Sequence, residues 1–191
     1  MHRLLYVLPG LFLFGNALAQ GQPTQQTVTQ GVFIITESGR SPEQIQQQFP
    51  YDIALRTAAS DTLLSSKVFA QNGKPTVLMF WLTTCAPCKM ELKAVSEKYP
   101  QWKKEADFNL YAISIDFNKN AEQFDKRVTE AQWPFEAFHD FNREFQAVMP
   151  GNLNGLPQTF VLDKDGNIVY HSRKYRPGDE DSLFDAIKTI K

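Results

Sequence analysis

Both cysteines of the chain fall in one short stretch, WLTTCAPCKMEL (residues 81–92), with two residues between them. Such a pair can serve as a structural cross-link, a metal clamp, or a dithiol that opens and closes. A bridge from Cys85 to Cys88 closes a very small loop, so it removes little entropy from the unfolded chain and stabilises poorly. A zinc site needs four ligands, and His139 and His171 could supply the remainder only nominally. Neither histidine has the paired spacing of a metal hairpin, so no metal is expected. The redox reading has a physical basis. Cys85 stands where an apolar run ends and a helix should begin, so its sulfur faces unpaired backbone N–H groups at the positive end of the macrodipole. Thiols in such settings titrate at about 3.5–7.5, well below the usual value near 8.5, and are nucleophilic at neutral pH. Cys88, one turn along and shifted toward the interior, would resolve the mixed disulfide that Cys85 forms. Ala86 and Pro87 fill the turn between them, and Pro87 suits a first helical turn because its missing N–H has no intrahelical partner there. The couple needs no dissociable cofactor.

The flanking sequence must hold this pair in place. TVLMFWL (76–82) is a continuous apolar run of strand length, as expected for a central strand covered on both faces. The helix after the cysteines is predicted to run to about Tyr99, where Pro100 should kink or end it. FNLYAISID (108–116) reads as a buried strand, and NAEQFDKRVTEAQ (120–132) as a helix with Ala121, Phe124 and Val128 on one face. FEAFHD is a further short strand, TFVLDKDGNIVYHS a hairpin turning at Asp165–Gly166, and DEDSLFDAIKTI a closing amphipathic helix. Upstream, YDIALRT reads as a strand and LLSSKVFA as a short helix or strand. Strands alternating with helices predict a mixed sheet covered on both faces. Trp81 and Trp102 are read as core and helix-flank aromatics.

TVLMFWLTTCAPCKMEL, the preceding GKP, GLPQTFVLDKDGNIV and the late RPGDE occur together and in order. In this the chain resembles the exported TlpA-like and ResA-like thiol-disulfide oxidoreductases over roughly residues 51–190. The resemblance implies an α/β fold of the thioredoxin-like three-layer type: a central mixed β-sheet with helices on both faces, here with an N-terminal extension. It implies that Pro157 is a cis-proline facing the disulfide and that Leu156, Thr84, Ala86 and Pro87 border the substrate. Glu91, three residues after Cys88 on the same helix face, would be the acid that handles the proton of Cys88. The alternative for Glu91 is a solvated helix carboxylate. Two departures matter. Met79 stands where thioredoxin keeps a buried aspartate, and Thr84 stands where the family usually has tryptophan. The resemblance favours a reductase of exported protein disulfides, for example in cytochrome c maturation. A disulfide oxidase or isomerase, or a non-enzymatic binding module with an inert disulfide, is the alternative. A peroxidase of the related fold would carry Thr or Ser where this chain has Leu82.

Twenty basic against 21 acidic residues leave a net charge of −1, which gives no basic field for nucleic acid or an anionic membrane. Residues 1–19 have the zones of a signal peptide: Arg3 early, an apolar stretch from Leu4 to Phe14, and Ala17-Leu18-Ala19 before the expected cleavage. The mature chain is therefore expected in the periplasm without a stable membrane anchor, and the family resemblance implies exported protein thiols and disulfides as partners and an upstream membrane electron donor. Residues 20–50 form a Gln-rich N-terminal extension, read as partly disordered, with a possible strand at 31–36 and a short helix at 41–49. Residues 51–191 form the thioredoxin-like domain.

Overall fold

A computed structural model describes residues 49, 52–60, 62–69 and 73–190; the expected signal peptide and nearly all of the Gln-rich extension lie outside them. The described residues are built on one seven-stranded mixed sheet. Its strands are β1 (Ala54–Thr57), β2 (Leu63–Ser65), β3 (Thr76–Trp81), β4 (Asn109–Ser114), β5 (Glu136–His139), β6 (Gln158–Leu162) and β7 (Ile168–Arg173), in the order β2-β1-β5-β4-β3-β6-β7. The strand β3 is fully buried along its length, as its unbroken apolar run predicts. It pairs parallel with β4 on one side and antiparallel with β6 on the other.

Four helices complete the unit: α1 (Ala86–Glu105), α2 (Ala121–Ala131), α3 (Glu144–Val148) and α4 (Asp179–Thr189). The alternation of β3 sorts the core into two layers. Val77, Met79 and Trp81 pack with Leu92 and Val95 of α1, Phe124 of α2 and Leu183, Phe184 and Ile187 of α4. Leu78 and Phe80 point the other way, toward Phe145 of α3, Met149, Phe160 and Phe69. Helices therefore cover both faces, three on one side and the short α3 with 3-10 turns on the other.

One expectation is corrected. The helix does not stop near Tyr99 but continues through Pro100 to Glu105. An interior proline costs about 3 kcal/mol locally. The turn beyond it is held by tertiary contacts instead. Trp102 is buried and stacks on Phe184 with ring centres 4.8 Å apart and planes 3° apart, and Tyr99 meets Phe108 and Phe135 edge-on. Deleting a large core aromatic typically costs about 3–5 kcal/mol, enough to outweigh the proline. Since Pro100 itself is exposed, Pro100→Ala should stabilise the fold by about 1–2 kcal/mol, after the greater freedom it gives the unfolded chain. A urea denaturation midpoint that moves down instead of up would contradict this.

Candidate active site

The parallel strands β3, β4 and β5 all end at one edge of the sheet, and β6 begins there. Cys85 stands at this edge as the N-cap of α1, in extended conformation, with its carbonyl accepting from Lys89 N. Its Sγ accepts a hydrogen bond from the backbone N of Cys88 at 3.2 Å. Cys85 is half-buried, Cys88 has no exposed surface, and the two form a disulfide. The N–H that now touches Cys85 Sγ is a group that would stabilise its thiolate once the bridge opens. Thr84, Ala86 and Pro87 are exposed around it.

The loop ahead of Cys85 is fixed by Asp116, a residue the sequence reading missed. Its carboxylate accepts from Thr83 N at 2.8 Å and Thr83 Oγ1 at 3.0 Å, and from Ser114 Oγ at 2.7 Å. His139 Nε2 donates to Asp116 O at 2.9 Å. A buried carboxyl group needs its oxygens occupied by donors, and here two of the three donors belong to Thr83 of the cysteine loop. The one signal in the sequence is a lone acid closing the apolar strand β4.

On the opposite side stands Leu156–Pro157, a cis peptide, with Leu156 half-buried and Pro157 buried. The loop is held by side chains that sequence reasoning also missed. Gln158 Nε2 donates to Asn154 O at 2.8 Å, Arg173 donates to the same carbonyl, and Lys174 N donates to Pro157 O at 2.7 Å. Because the amide of Gln158 is spent on Asn154, its Oε1 must accept from His171 Nε2, 2.9 Å away. His171 lies flat on Phe160, ring centres 4.2 Å apart. Burial, with Arg173 nearby, pushes its pKa down to about 4, so it stays neutral and keeps that tautomer. Neither His139 nor His171 approaches a metal-ligating cluster, and none exists among the described residues.

Glu91 is buried, 5% exposed, not solvated. Its Oε1 accepts from Thr159 Oγ1 at 2.9 Å, the residue of β6 that pairs with Met79 of β3. Where a buried strand acid is replaced by Met79, this carboxyl reaches the same layer from the helix. Burial raises its pKa to about 8 against the lowering effect of the Thr159 bond, with Asp179 and Glu180 adding to the rise. Glu180 behaves oppositely. Although burial works against it, bonds from backbone N–H groups, Lys98 and Tyr175 hold it near 2, as an anion. The RPGDE turn thus sets a fixed negative charge near Glu91.

A dithiol-disulfide pair at the start of a helix, a cis-proline just before the strand that pairs with the end of β3 and a buried acid one helical turn on define a class: the thioredoxin-fold thiol-disulfide oxidoreductases. Residues 45–171 match the AhpC/TSA family, and the chain belongs to it. Among its relatives is the thiol-disulfide oxidoreductase ResA of Geobacillus kaustophilus, 28% identical over 123 residues, which are 61% of this chain and 67% of that protein. A thioredoxin-like protein from Porphyromonas gingivalis is 30% identical, with a TM-score of 0.62 over 72% of this chain and 88% of the other. A thiol:disulfide interchange protein DsbE from Chlorobium tepidum superposes with a TM-score of 0.59 over 74% of this chain and 96% of its own, at 18% identity, which supports the fold alone. No described helix is long and apolar enough to cross a membrane.

Proposed function

We propose that this thiol-disulfide oxidoreductase works as a reductase of disulfides in exported proteins. The observation that carries the reading is the asymmetry of the pair: Cys85 half-exposed at a helix start, Cys88 enclosed one helical turn before the buried Glu91, whose pKa burial raises to about 8. In the reduced protein the Cys85 thiolate attacks one sulfur of the partner disulfide, and the first partner thiol leaves. Cys88 then attacks Cys85 Sγ, the second thiol leaves, and two electrons have passed to the partner. For Glu91 to take the proton of Cys88 in that step it enters as the carboxylate in the dithiol state; the protonated acid of the disulfide state then holds that proton and returns it when the bridge is reduced. An electron donor upstream restores the dithiol. The backbone of Leu156 offers an extended partner segment a strand-like contact, and Thr84, Ala86 and Pro87 border the same cleft. The signal-like residues 1–19 and the exported character of the TlpA-like and ResA-like proteins support a periplasmic location, with apocytochrome c among the candidate substrates.

Equilibrating the pair with a glutathione buffer tests the direction. A reductase has a potential well below the roughly −200 mV of isomerase-like couples, and a value near the roughly −120 mV of strong oxidants would reverse the assignment.

Glu91→Gln tests the proton acid, with two readouts. Disulfide reduction should fall about a hundredfold, as when a general acid-base group is lost. Stability should respond with a definite sign. Folded Glu91 keeps its proton up to about pH 8, whereas the unfolded chain loses it near the ordinary value of 4.5, so folding binds the proton and stability declines as pH rises through that window. His139 and His171 are both pushed below their ordinary value, so the unfolded chain binds protons they lack, and each adds stability as pH rises through about 6.5, opposing the Glu91 trend by about 0.4 kcal/mol above that pH. Between pH 6.5 and 8 the stability of the wild type should therefore fall by about 2 kcal/mol relative to that of the variant. A flattened stability curve with an unchanged reduction rate would make Glu91 a structural residue only.

A further inference from the structure

The rim of the redox site points to its partner. Phe117, at the end of β4, is 54% exposed, and it is capped by two cations: the Arg143 guanidinium lies 4.1 Å and Lys119 Nζ 5.8 Å from its ring centre. Phe117 follows Asp116, whose carboxylate binds Thr83, so this group adjoins the cysteine loop. At the other side of the site, Arg173 and Lys174 close β7 next to the cis-proline: Arg173 pairs with Gln158, and Lys174 N is bonded to Pro157 O. None of these four cations forms an ion pair among the described residues, in contrast to Arg56, Lys74, Lys98 or Lys188 elsewhere.

The acids at this edge are largely committed inward. Asp116 is satisfied by Thr83 and Ser114, Asp140 accepts from the backbone of Glu144 and Phe145, and Glu91 is enclosed and bonded to Thr159. Glu122 and Glu144 are the exposed exceptions on the Phe117 side. The sheet order β5-β4-β3-β6-β7 puts the cysteine pair between the two cationic groups. With strands about 4.8 Å apart, the strand ends that lead to the two groups lie about 5–10 Å from the end of β3, the span of two or three residues of an extended chain.

We infer that this rim selects its partners, favouring an extended segment whose cysteine is flanked on both sides, two or three residues away, by Asp or Glu. An exposed aromatic stacked with arginine is the side-chain type enriched at the centre of interfaces, and unpaired cations around it steer and orient an acidic chain. This inference rests on the reductase reading and names its substrate class.

The test uses the reduced full-length protein and two synthetic seven-residue peptides with a central cysteine, capped as the mixed disulfide with 2-mercaptoethanol. One peptide carries Glu at two and three residues on each side of the cysteine, the other Lys. The neutral hydroxyethyl disulfide is run in parallel. Each rate is divided by that of free dithiothreitol, because nearby acids make the partner thiol a poorer leaving group. The Glu peptide should be reduced about tenfold faster at roughly 0.01 M salt and within about twofold at roughly 1 M, where charges are screened beyond about 3 Å. The double substitution Lys119→Glu and Arg143→Glu should shift preference toward the Lys peptide. Equal rates, or a faster Lys peptide with wild type, while hydroxyethyl disulfide is reduced, would overturn the rim and leave the oxidoreductase standing. No reduction of any of the three would remove the reductase reading and this inference with it.

Discussion

Replacing Cys85 with serine should abolish disulfide reduction. A serine hydroxyl at the same N-cap accepts the Cys88 N–H well, so α1 should keep its start, but it has no thiolate to offer and forms no mixed disulfide. The rate should fall by more than about a thousandfold, to the background of the assay, since the nucleophile itself is gone. The fold should survive, because the lost bridge spans a sequence separation of 3 and constrains the unfolded chain little. Insulin reduction followed by turbidity, with circular dichroism as the control for folding, measures both halves. Residual turnover within tenfold of wild type would move the nucleophile elsewhere.

Replacing Cys88 with serine has an effect of equal size on turnover but of a different kind. Cys85 still attacks, and the first partner thiol still leaves. With no second thiol one helical turn away, the mixed disulfide persists. The covalent adduct should accumulate to near one partner per protein within the time the wild type completes a cycle, as seen by mass spectrometry under non-reducing conditions. Cys88 has no exposed surface, so no solvent thiol easily takes its place. Normal turnover by this variant would refute the two-cysteine mechanism, whatever the fate of Cys85→Ser.

What the sequence allowed one to read follows from how local the physics is. The strand β3 was legible because a run of six buried residues leaves no polar alternation, and the cysteine site because an N-cap followed by Pro in the first turn is a local signal. Pro100 misled for the same reason: its cost is local, while the Trp102–Phe184 stack that overcomes it joins residues 82 positions apart. Glu91 divided two readings because i, i+3 spacing from Cys88 fixes a helix face but not what covers it. What covers it is Thr159, supplied by a strand that starts 53 residues after the end of α1. Asp116 and Gln158 escaped notice, and His171 was weighed only as a metal ligand, because each acts through a hydrogen bond to another element's backbone or amide, and spacing along the chain carries no trace of that. The Leu156–Pro157 peptide was approached through family resemblance, and the Gln158–Asn154 hydrogen bond that holds the loop beside it left no mark in the sequence pattern.

The central claim, that Cys85 is the activated member of the pair and Cys88 its sheltered partner, is tested most directly by timed alkylation of the reduced wild-type protein with iodoacetamide across pH 4–10, with each cysteine followed separately by peptide mass spectrometry. Cys85 should react first at every pH, with a midpoint within about 3.5–7.5, and Cys88 should be modified only as the protein unfolds. Preferential labelling of Cys88, or a Cys85 midpoint at or above about 8.5, would contradict the account.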